Sequence, residues 1–478
     1  MVRPIEERIV DERVRMKAKR DELLNRIEKE ARGEKSKKLL KEILVTESLA
    51  HLYWNVCVAP PVVAGCKGST MTDVDGNEYI DFTGGFGVHA IGFSHPKVVA
   101  AIEEQARRVL QYCEMPSIPR IELGKKMLEI TPGNFEKKIL WAVTGAEAIE
   151  AATRLARYYT GRTNLIAFTG AYHGRTTAAM ALTANAYFKN FHQLPVDTAV
   201  VRFPYAYCYR CALGEKYPDC KMACTKYLEN FFSSVHYGLR DPDKGITNVA
   251  GIVVEPCQGH AGYIVPPVEF LSELRKICDK YELLLIADEI MCGFGRTGKL
   301  WACEHSNVAP DLMCIGKAIG GGIPLSAVVG RQEILDYVGP GAHMGTFAGN
   351  HIACAAGLAL VRVLLEEKIP ERAAKTGKYL AEKWRALQDR HRLIGDVAGR
   401  GLFIGVELVK NHETKEPAAQ ETAWIQNECY KRGFLIQRAG YYGNRFNNYP
   451  TLIVTEEEID RAMEVMDSVM SDAERKYH

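Results

Sequence analysis

LLLIADEIMCGFGRTG, Leu283 to Gly298, is the stretch on which the fold turns. An apolar run delivers two carboxylates, Asp288 and Glu289, and then the pattern G-F-G-R-T-G. Those six residues match the G-x-G-x-x-G of a dinucleotide-binding loop, whose glycines follow a strand at once and open a helix. Here two acids intervene, they would repel a pyrophosphate, and the following KLWACEHSNVAP is a poor helix. The glycines therefore read as a turn, and an NAD-dependent Rossmann dehydrogenase is only a remote alternative. The acid carries the information instead. A carboxylate at the end of a buried strand needs a cationic partner or a metal, and no His/Cys/Asp cluster lies nearby in sequence to hold a metal.

Outward from this stretch, short apolar runs alternate with amphipathic helices, the pattern of an α/β domain with a mostly parallel sheet. KKILWAV, NLIAF, AGIVVEP and ELLLIADEI read as strands, while EAIEAATRLARYYTG and FLSELRKICDKYE read as helices. The second helix joins two of the strands in a βαβ unit, so Glu255 and Asp288 fall at the carboxyl edge of one sheet. Ligands bind at that edge in open α/β folds. The chain before about residue 95 and after about residue 350 reads as flanking α+β material.

Three further features converge on the same edge. PDLMCIGKAIGGGIPLSA sets Lys317 among apolar residues and glycines, and a desolvated lysine sheds its proton more easily and becomes a nucleophile. VTGAEAIEAA runs from strand to helix through Thr144, Gly145 and Ala146, leaving bare N–H groups suited to a phosphate. GAYHGRT places Tyr172 and His173 after the next strand, with Tyr172 able to stack on a flat ring. A carboxylate facing a ring nitrogen, together with an amine that bonds an aldehyde, is the pair that pyridoxal phosphate chemistry requires.

Composition narrows the class. The 478 residues are 47% hydrophobic and 25% charged, and the formal charge is only +2, so nothing favours nucleic acid as a partner. No apolar segment approaches the roughly 20 residues that span a bilayer. The first 45 residues lack a signal-peptide core and are too acidic for a mitochondrial presequence, so a cytoplasmic protein is expected. They read as a helical extension packed on a subunit surface. Most of the 14 cysteines are scattered singly, but Cys208, Cys211, Cys220 and Cys224 fall within seventeen residues. Such a cluster can bind zinc, form disulfides or stay reduced.

Taken in order, D-x-D-G-x-x-Y-x-D-F (Asp73 to Phe82), TGAEAIE, AYHGRT, VVEPCQG, ADEIMCGFGRTG, PDLMCIGKAIGGGIPLSA and HMGTFAGN resemble the class III (ornithine/ω-amino acid) aminotransferases of pyridoxal phosphate fold type I. The resemblance runs from about residue 55 to the end, and the 29-residue spacing of Asp288 and Lys317 matches it. After the helical extension read over 1–45, it implies a small domain from 46–95 and 346–478. Between them, 96–345 would form the large cofactor-binding domain. It also implies that Lys317 carries the cofactor covalently, Asp288 holds the pyridine nitrogen, Tyr172 stacks on the ring, and Gly145 and Ala146 bind the phosphate. His173, Glu255 and Met291 would complete the cofactor site. Thr346 would reach the phosphate of a neighbouring subunit, so a homodimer with shared sites is implied, with no metal.

Two departures concern substrate. Where ornithine- and GABA-type members place a glutamate after EP-x-Q-G and an arginine near the C-terminus, this chain has His260 and Asn447. Losing both together is physically coherent, because losing one would strand a charge. The pattern, with Met291, resembles the ω-amine:pyruvate subgroup and favours a pyruvate-like acceptor over 2-oxoglutarate. Arg175 is the candidate for a substrate carboxylate, with Arg445 and Arg438 behind it. Trp54, Phe86 and Tyr441–Tyr442 suggest an apolar side to the substrate site. A transaminase acting on an amine, ω-amino acid or related amino acid is expected. A racemase or epimerase on the same scaffold is the alternative.

Overall fold

The computed structural model describes residues 5–48, 59–113, 115–190 and 199–477. At its centre lies a seven-stranded sheet: β1 (Lys137–Ala142), β2 (Asn164–Phe168), β3 (Val200–Phe203), β4 (Val249–Val254), β5 (Leu284–Asp288), β6 (Leu312–Ile315) and β7 (Ser326–Arg331). They lie in the order β1-β7-β6-β5-β4-β2-β3. Only β7 is reversed, antiparallel to β1 and β6, and the remaining neighbours pair in parallel. This is the α/β sheet expected from the alternating sequence pattern.

Strands β4, β5 and β6 are buried at every position, which is why they are apolar runs and not alternating ones. Their side chains still alternate between faces. Val254, Leu285 and Met313 join one apolar cluster with Leu271, Leu274 and Ile277 of helix Glu269–Tyr281. Val253, Ile286 and Leu312 join a second with Ala148, Ile149 and Leu155 of helix Gly145–Thr160. That helix starts at a capping box, in which Thr144 accepts the Glu147 N–H and the Glu147 carboxylate accepts the Thr144 N–H. It stops at Gly161, whose φ of 66° is free of strain only for glycine.

The two ends of the chain meet. Strands Val63–Lys67, Thr70–Asp73 and Glu78–Asp81 form a sheet that is extended in parallel by Phe434–Leu435. A separate antiparallel sheet of Ile394–Arg400, Phe403–Leu408, Arg445–Asn448 and Gln437–Ala439 carries Asn447. Helices Ile5–Glu30 and Glu34–Thr46 precede both sheets. They pack on this chain through Ile27, Leu40 and Leu44, while the Asp75 carboxylate accepts the N–H groups of Lys35 and Ser36. No helix among the described residues is long and apolar enough to cross a membrane.

The four clustered cysteines line one small cavity of about 20 Å³. None is disulfide-bonded, and among the described residues no three His, Cys, Asp or Glu side chains are placed to hold a metal ion. Burial, with the neighbouring thiols adding to it, pushes Cys208 up to about 11.

Asp311, just before β6, fixes the far end of the strands that deliver the site. Its carboxylate accepts from the Leu285 N–H and from Arg275 and Arg331, at 2.7–2.8 Å. Asp311→Ala strands the buried Leu285 N–H and removes two charged hydrogen bonds, one of them to a part-exposed Arg331. A loss of about 2–4 kcal/mol is expected, measurable as a lowered midpoint of chemical unfolding.

Candidate active site

Parallel pairing puts the ends of β4, β5 and β6 at one edge, with Asp288 beside Cys314 in register. A cavity of about 450 Å³ opens there, lined by residues from every motif singled out at that edge in sequence. Asp288 is buried, as its place at the end of a buried strand requires. Its Oδ2 meets Nδ1 of His173 at 2.7 Å, and its Oδ1 accepts the Ile290 N–H at 3.1 Å. Burial pulls the imidazole toward neutrality, but the bond to Asp288 and the charges of Asp288 and Glu255 outweigh it and hold His173 above its ordinary value. The hydrogen-bonding partner that the buried carboxylate needs is therefore this histidine.

Glu289 turns the other way. It is fully buried and accepts the N–H groups of Ala302 and Cys303 and the Cys292 thiol. The glycine run after it folds into turns, and the next helical element is only the short 3₁₀ turn Ala302–Ser306. No helix N-terminus follows GFGRTG to receive a pyrophosphate.

Lys317 opens a 3₁₀ turn, with φ of 48°. A left-handed conformation costs a residue with a side chain about 1–2 kcal/mol. The turn aims Nζ into the cavity, where it donates to the Phe86 carbonyl at 3.2 Å. Phe86 is itself left-handed, at φ of 60°, inside Gly84–Gly87. Burial holds the Lys317 amine below its ordinary value, against the opposing pull of Asp288 and Glu255.

Gly145 and Ala146, in the first helical turn, line the same cavity; the first N–H groups of a helix have no partner within it. A Cβ on Gly145 would stand 2.9 Å from Ile290 Cδ1, so a larger residue there would require the Ile290 side chain to shift. Tyr172 packs against His260 at 5.1 Å and Phe188 at 5.9 Å, and the Arg175 guanidinium lies 4.0 Å from the Phe188 ring centre. Glu255 is buried and accepts the Tyr172 N–H with Oε1 (3.0 Å) and the Gly259 N–H with Oε2 (2.8 Å). Burial, helped by Arg175 and Lys317, lowers His260 to about 4, so it is neutral at physiological pH. Asn447 lies beside it and donates to the Gly259 carbonyl at 3.3 Å. Met291 fits between Gly87 and Gly259, where added Cβ atoms would lie 3.0 and 2.9 Å from it.

This arrangement fits pyridoxal phosphate. The glycine-lined helix start matches its phosphate, the Tyr172 ring its pyridine face, the remaining acceptor capacity of Asp288 its protonated nitrogen, and the low-affinity amine of Lys317 its aldehyde.

Other sequence candidates fall elsewhere. Arg445 does not serve the cavity. It is 1% exposed, and its guanidinium binds Glu407 at 2.7 Å, Asp396 at 3.3 Å and the Gly262 carbonyl at 2.7 Å. A cation on a strand facing the interior is taken up by the nearest buried carboxylate, and Glu407 is that group. Arg438 is not among the lining residues, and Tyr442 packs near Arg210. Thr346 is exposed and lies outside the cavity of its own subunit, its carbonyl accepting from Gln111 at 2.6 Å. Trp54 lies outside the described residues. Conversely, Ile290, Gln437 and Gly259 line the cavity without having been singled out. Ile290 had a sequence signal, since it stands two residues past Asp288. Gln437 and Phe188 had none.

Comparison with known proteins agrees with this geometry. The aminotransferase class-III family matches residues 55–470. The 5-aminovalerate aminotransferase of Pseudomonas aeruginosa is 36% identical over 413 residues, covering 86% of this chain and 93% of its own. A leucine/methionine racemase of Thermococcus litoralis is 36% identical over 424 residues, covering 88% and 92%. Among solved structures, an amine transaminase from an uncultivated Pseudomonas species, in its pyridoxal phosphate-bound form, superposes with a TM-score of 0.79 at 29% identity, covering 87% of this chain and 95% of its own.

Arg445→Met would leave Glu407 buried without its main partner. A loss of about 3–5 kcal/mol is expected, read as a lowered melting temperature. A raised KM at unaltered stability would restore Arg445 as a substrate ligand.

Proposed function

The chain belongs to the class III aminotransferases, which work with pyridoxal phosphate, and we propose that it moves an amino group from an amine, ω-amino acid or related amino acid to a 2-keto acid, with a pyruvate-like acceptor favoured over 2-oxoglutarate. The carrying observation is the cavity wall itself, where Lys317 and Asp288 face a neutral His260 and a carboxamide, Asn447. At positions 260 and 447 themselves a second carboxylate on the acceptor would meet no cation.

When bound, the cofactor supplies an aldehyde for the donor amine and a ring that takes up the electron pair released at the amine-bearing carbon. The chain's own residues do the rest. Lys317 would hold the cofactor through its aldehyde and, as a free amine, would take the proton from that carbon. The Phe86 carbonyl keeps the freed Nζ inside the cavity. Asp288, held by His173, would keep the ring nitrogen of the cofactor protonated. Gly145 and Ala146 hold the phosphate, Tyr172 covers the ring, and Arg175 is placed for a substrate carboxylate. Phe86, 39% exposed at the cavity, offers an apolar contact.

The active form in this reading is a homodimer. The segment carrying Leu110, Tyr112 and Met115 is hydrogen-bonded to the segment carrying Met344 and Phe347, and all five side chains are exposed. An apolar patch of that kind is a contact surface. A second copy covering it would bring Thr346 to the partner's phosphate.

Lys317→Ala is expected to abolish borohydride trapping of the cofactor on the chain and to slow turnover by about 10²–10⁴-fold. Asp288→Ala should leave the cofactor bound while kcat falls about 10²–10³-fold; near-normal turnover would sink that role. Wild-type enzyme loaded with an amine donor should turn over pyruvate faster than 2-oxoglutarate. His260→Glu combined with Asn447→Arg should shift kcat/KM toward 2-oxoglutarate by about tenfold, roughly 1.4 kcal/mol. The relative from Thermococcus litoralis supports a second reading, racemisation. Deuterium washed into unconsumed substrate with inversion, independent of any keto acid, would replace transamination by it.

A further inference from the structure

Glu255 has no step in that mechanism, yet it is buried against the cavity. Buried carboxylates ordinarily meet a cation or several donors. This one accepts from two main-chain N–H groups, and both belong to the walls of the site. Oε1 takes Tyr172 N–H at 3.0 Å, the backbone of the residue whose ring faces the cofactor. Oε2 takes Gly259 N–H at 2.8 Å, the residue before His260. The rings so carried pack at 5.1 Å with a tilt of 35°, and Phe188 closes the group at 5.5 Å from His260. Gly259 is also bound through its carbonyl to Asn447. The backbone of Glu255 is fixed from the other side, since its carbonyl accepts the buried Tyr205 hydroxyl at 2.9 Å.

We propose that Glu255 is a positioning residue that ties the ring-covering wall of the cofactor site to the substrate-facing wall, one carboxylate oxygen holding each, so that Tyr172 and His260 stay in register across the cavity. The proposal rests on the cofactor assignment above but not on which amine or acceptor is used.

The clamp works only with both oxygens free to accept. A protonated carboxyl would turn an O–H toward one of the two N–H groups and lose that bond. The titratable groups facing Glu255 are His173, Asp288, Lys317, Tyr205, Tyr441 and Cys257. Burial and the Asp288 charge raise Glu255 to about 7, against the opposing charge of His173 and the two N–H bonds. The group is therefore neutral below that pH and charged above it. The clamp closes as pH rises through neutrality and opens as pH falls.

The test compares wild type with Glu255→Gln, using cofactor dissociation measured by fluorescence together with kcat and KM for an amine donor between about pH 6 and 9. The carboxamide keeps one acceptor and points N–H groups at the other donor. Expected are at least tenfold weaker cofactor binding and a raised KM for the amine with kcat changed far less. The wild-type weakening of cofactor binding below pH 7 should be absent from the variant. Wild-type cofactor affinity and KM in Glu255→Gln would overturn the proposal, and so would a fall in kcat alone, which marks a proton carrier. If Glu255→Gln does not fold, Glu255→Asp, charged but one methylene short, is read by the same cofactor affinity, KM and kcat outcomes. Cofactor affinity does not depend on the reaction catalysed, so a failed transaminase assignment leaves this result intact.

Discussion

The bond between Asp288 and His173 is the constraint around which the site is arranged. A carboxylate at the end of a strand buried on both faces has lost its water, and an imidazole at 2.7 Å restores part of that solvation without neutralising the group. Because His173 comes from the segment after β2 and Asp288 from the end of β5, the bond also sets how two separated strand ends face each other. The fully buried strands make this geometry rigid. A one-residue slip of β5 would turn Asp288 into the core and Ala287 toward the edge. The register of Asp288 beside Cys314, and the Asp311 anchor at the opposite end, are thus part of the site.

Backbone strain is present at the same place. Lys317 and Phe86 both hold left-handed backbone, and each is bonded to the other through Nζ and a carbonyl. Such conformations persist where the surroundings over-determine them. Around Lys317 the surroundings are fully buried β6 and the glycines after the turn. Around Phe86 they are glycines on either side, where a Cβ at Gly84 would stand 2.8 Å from the Tyr449 carbonyl. The glycine-rich wording of both stretches therefore records backbone shape and close approach, and the lysine is the residue that the shape presents.

Much of the sheet was legible in sequence because its strands are buried on both faces and its helices on one, and the two patterns differ in period. Asp288, Lys317 and Gly145 were legible because each breaks the chemistry of its surroundings: an acid or a lysine in an apolar run, a glycine where a helix starts. Arg445 was misread because a lone arginine in sequence carries no sign of its partner, and Glu407 lies 38 residues away on a neighbouring strand. Glu289 was ambiguous for a similar reason, since adjacent residues on a chain leaving a strand face opposite ways. Gln437 reaches the cavity, and Phe188 packs on Tyr172 and His260, from elements whose local sequence has no distinguishing pattern, so only tertiary packing places them.

The buried pair that removed Arg445 from the substrate list still bears on specificity. Glu407 accepts from Arg445, Asn444, Arg210 and the Tyr207 hydroxyl, and Arg445 in turn holds the Gly262 carbonyl. Gly262 belongs to the turn that begins at Gly259, so the loop carrying His260 is fixed from behind by a charge network and from the front by Glu255. The loop is thus held at both ends, and the imidazole on it is kept neutral by its own burial. An arginine on the interior face of the adjoining strand therefore bears on the site through the backbone it holds.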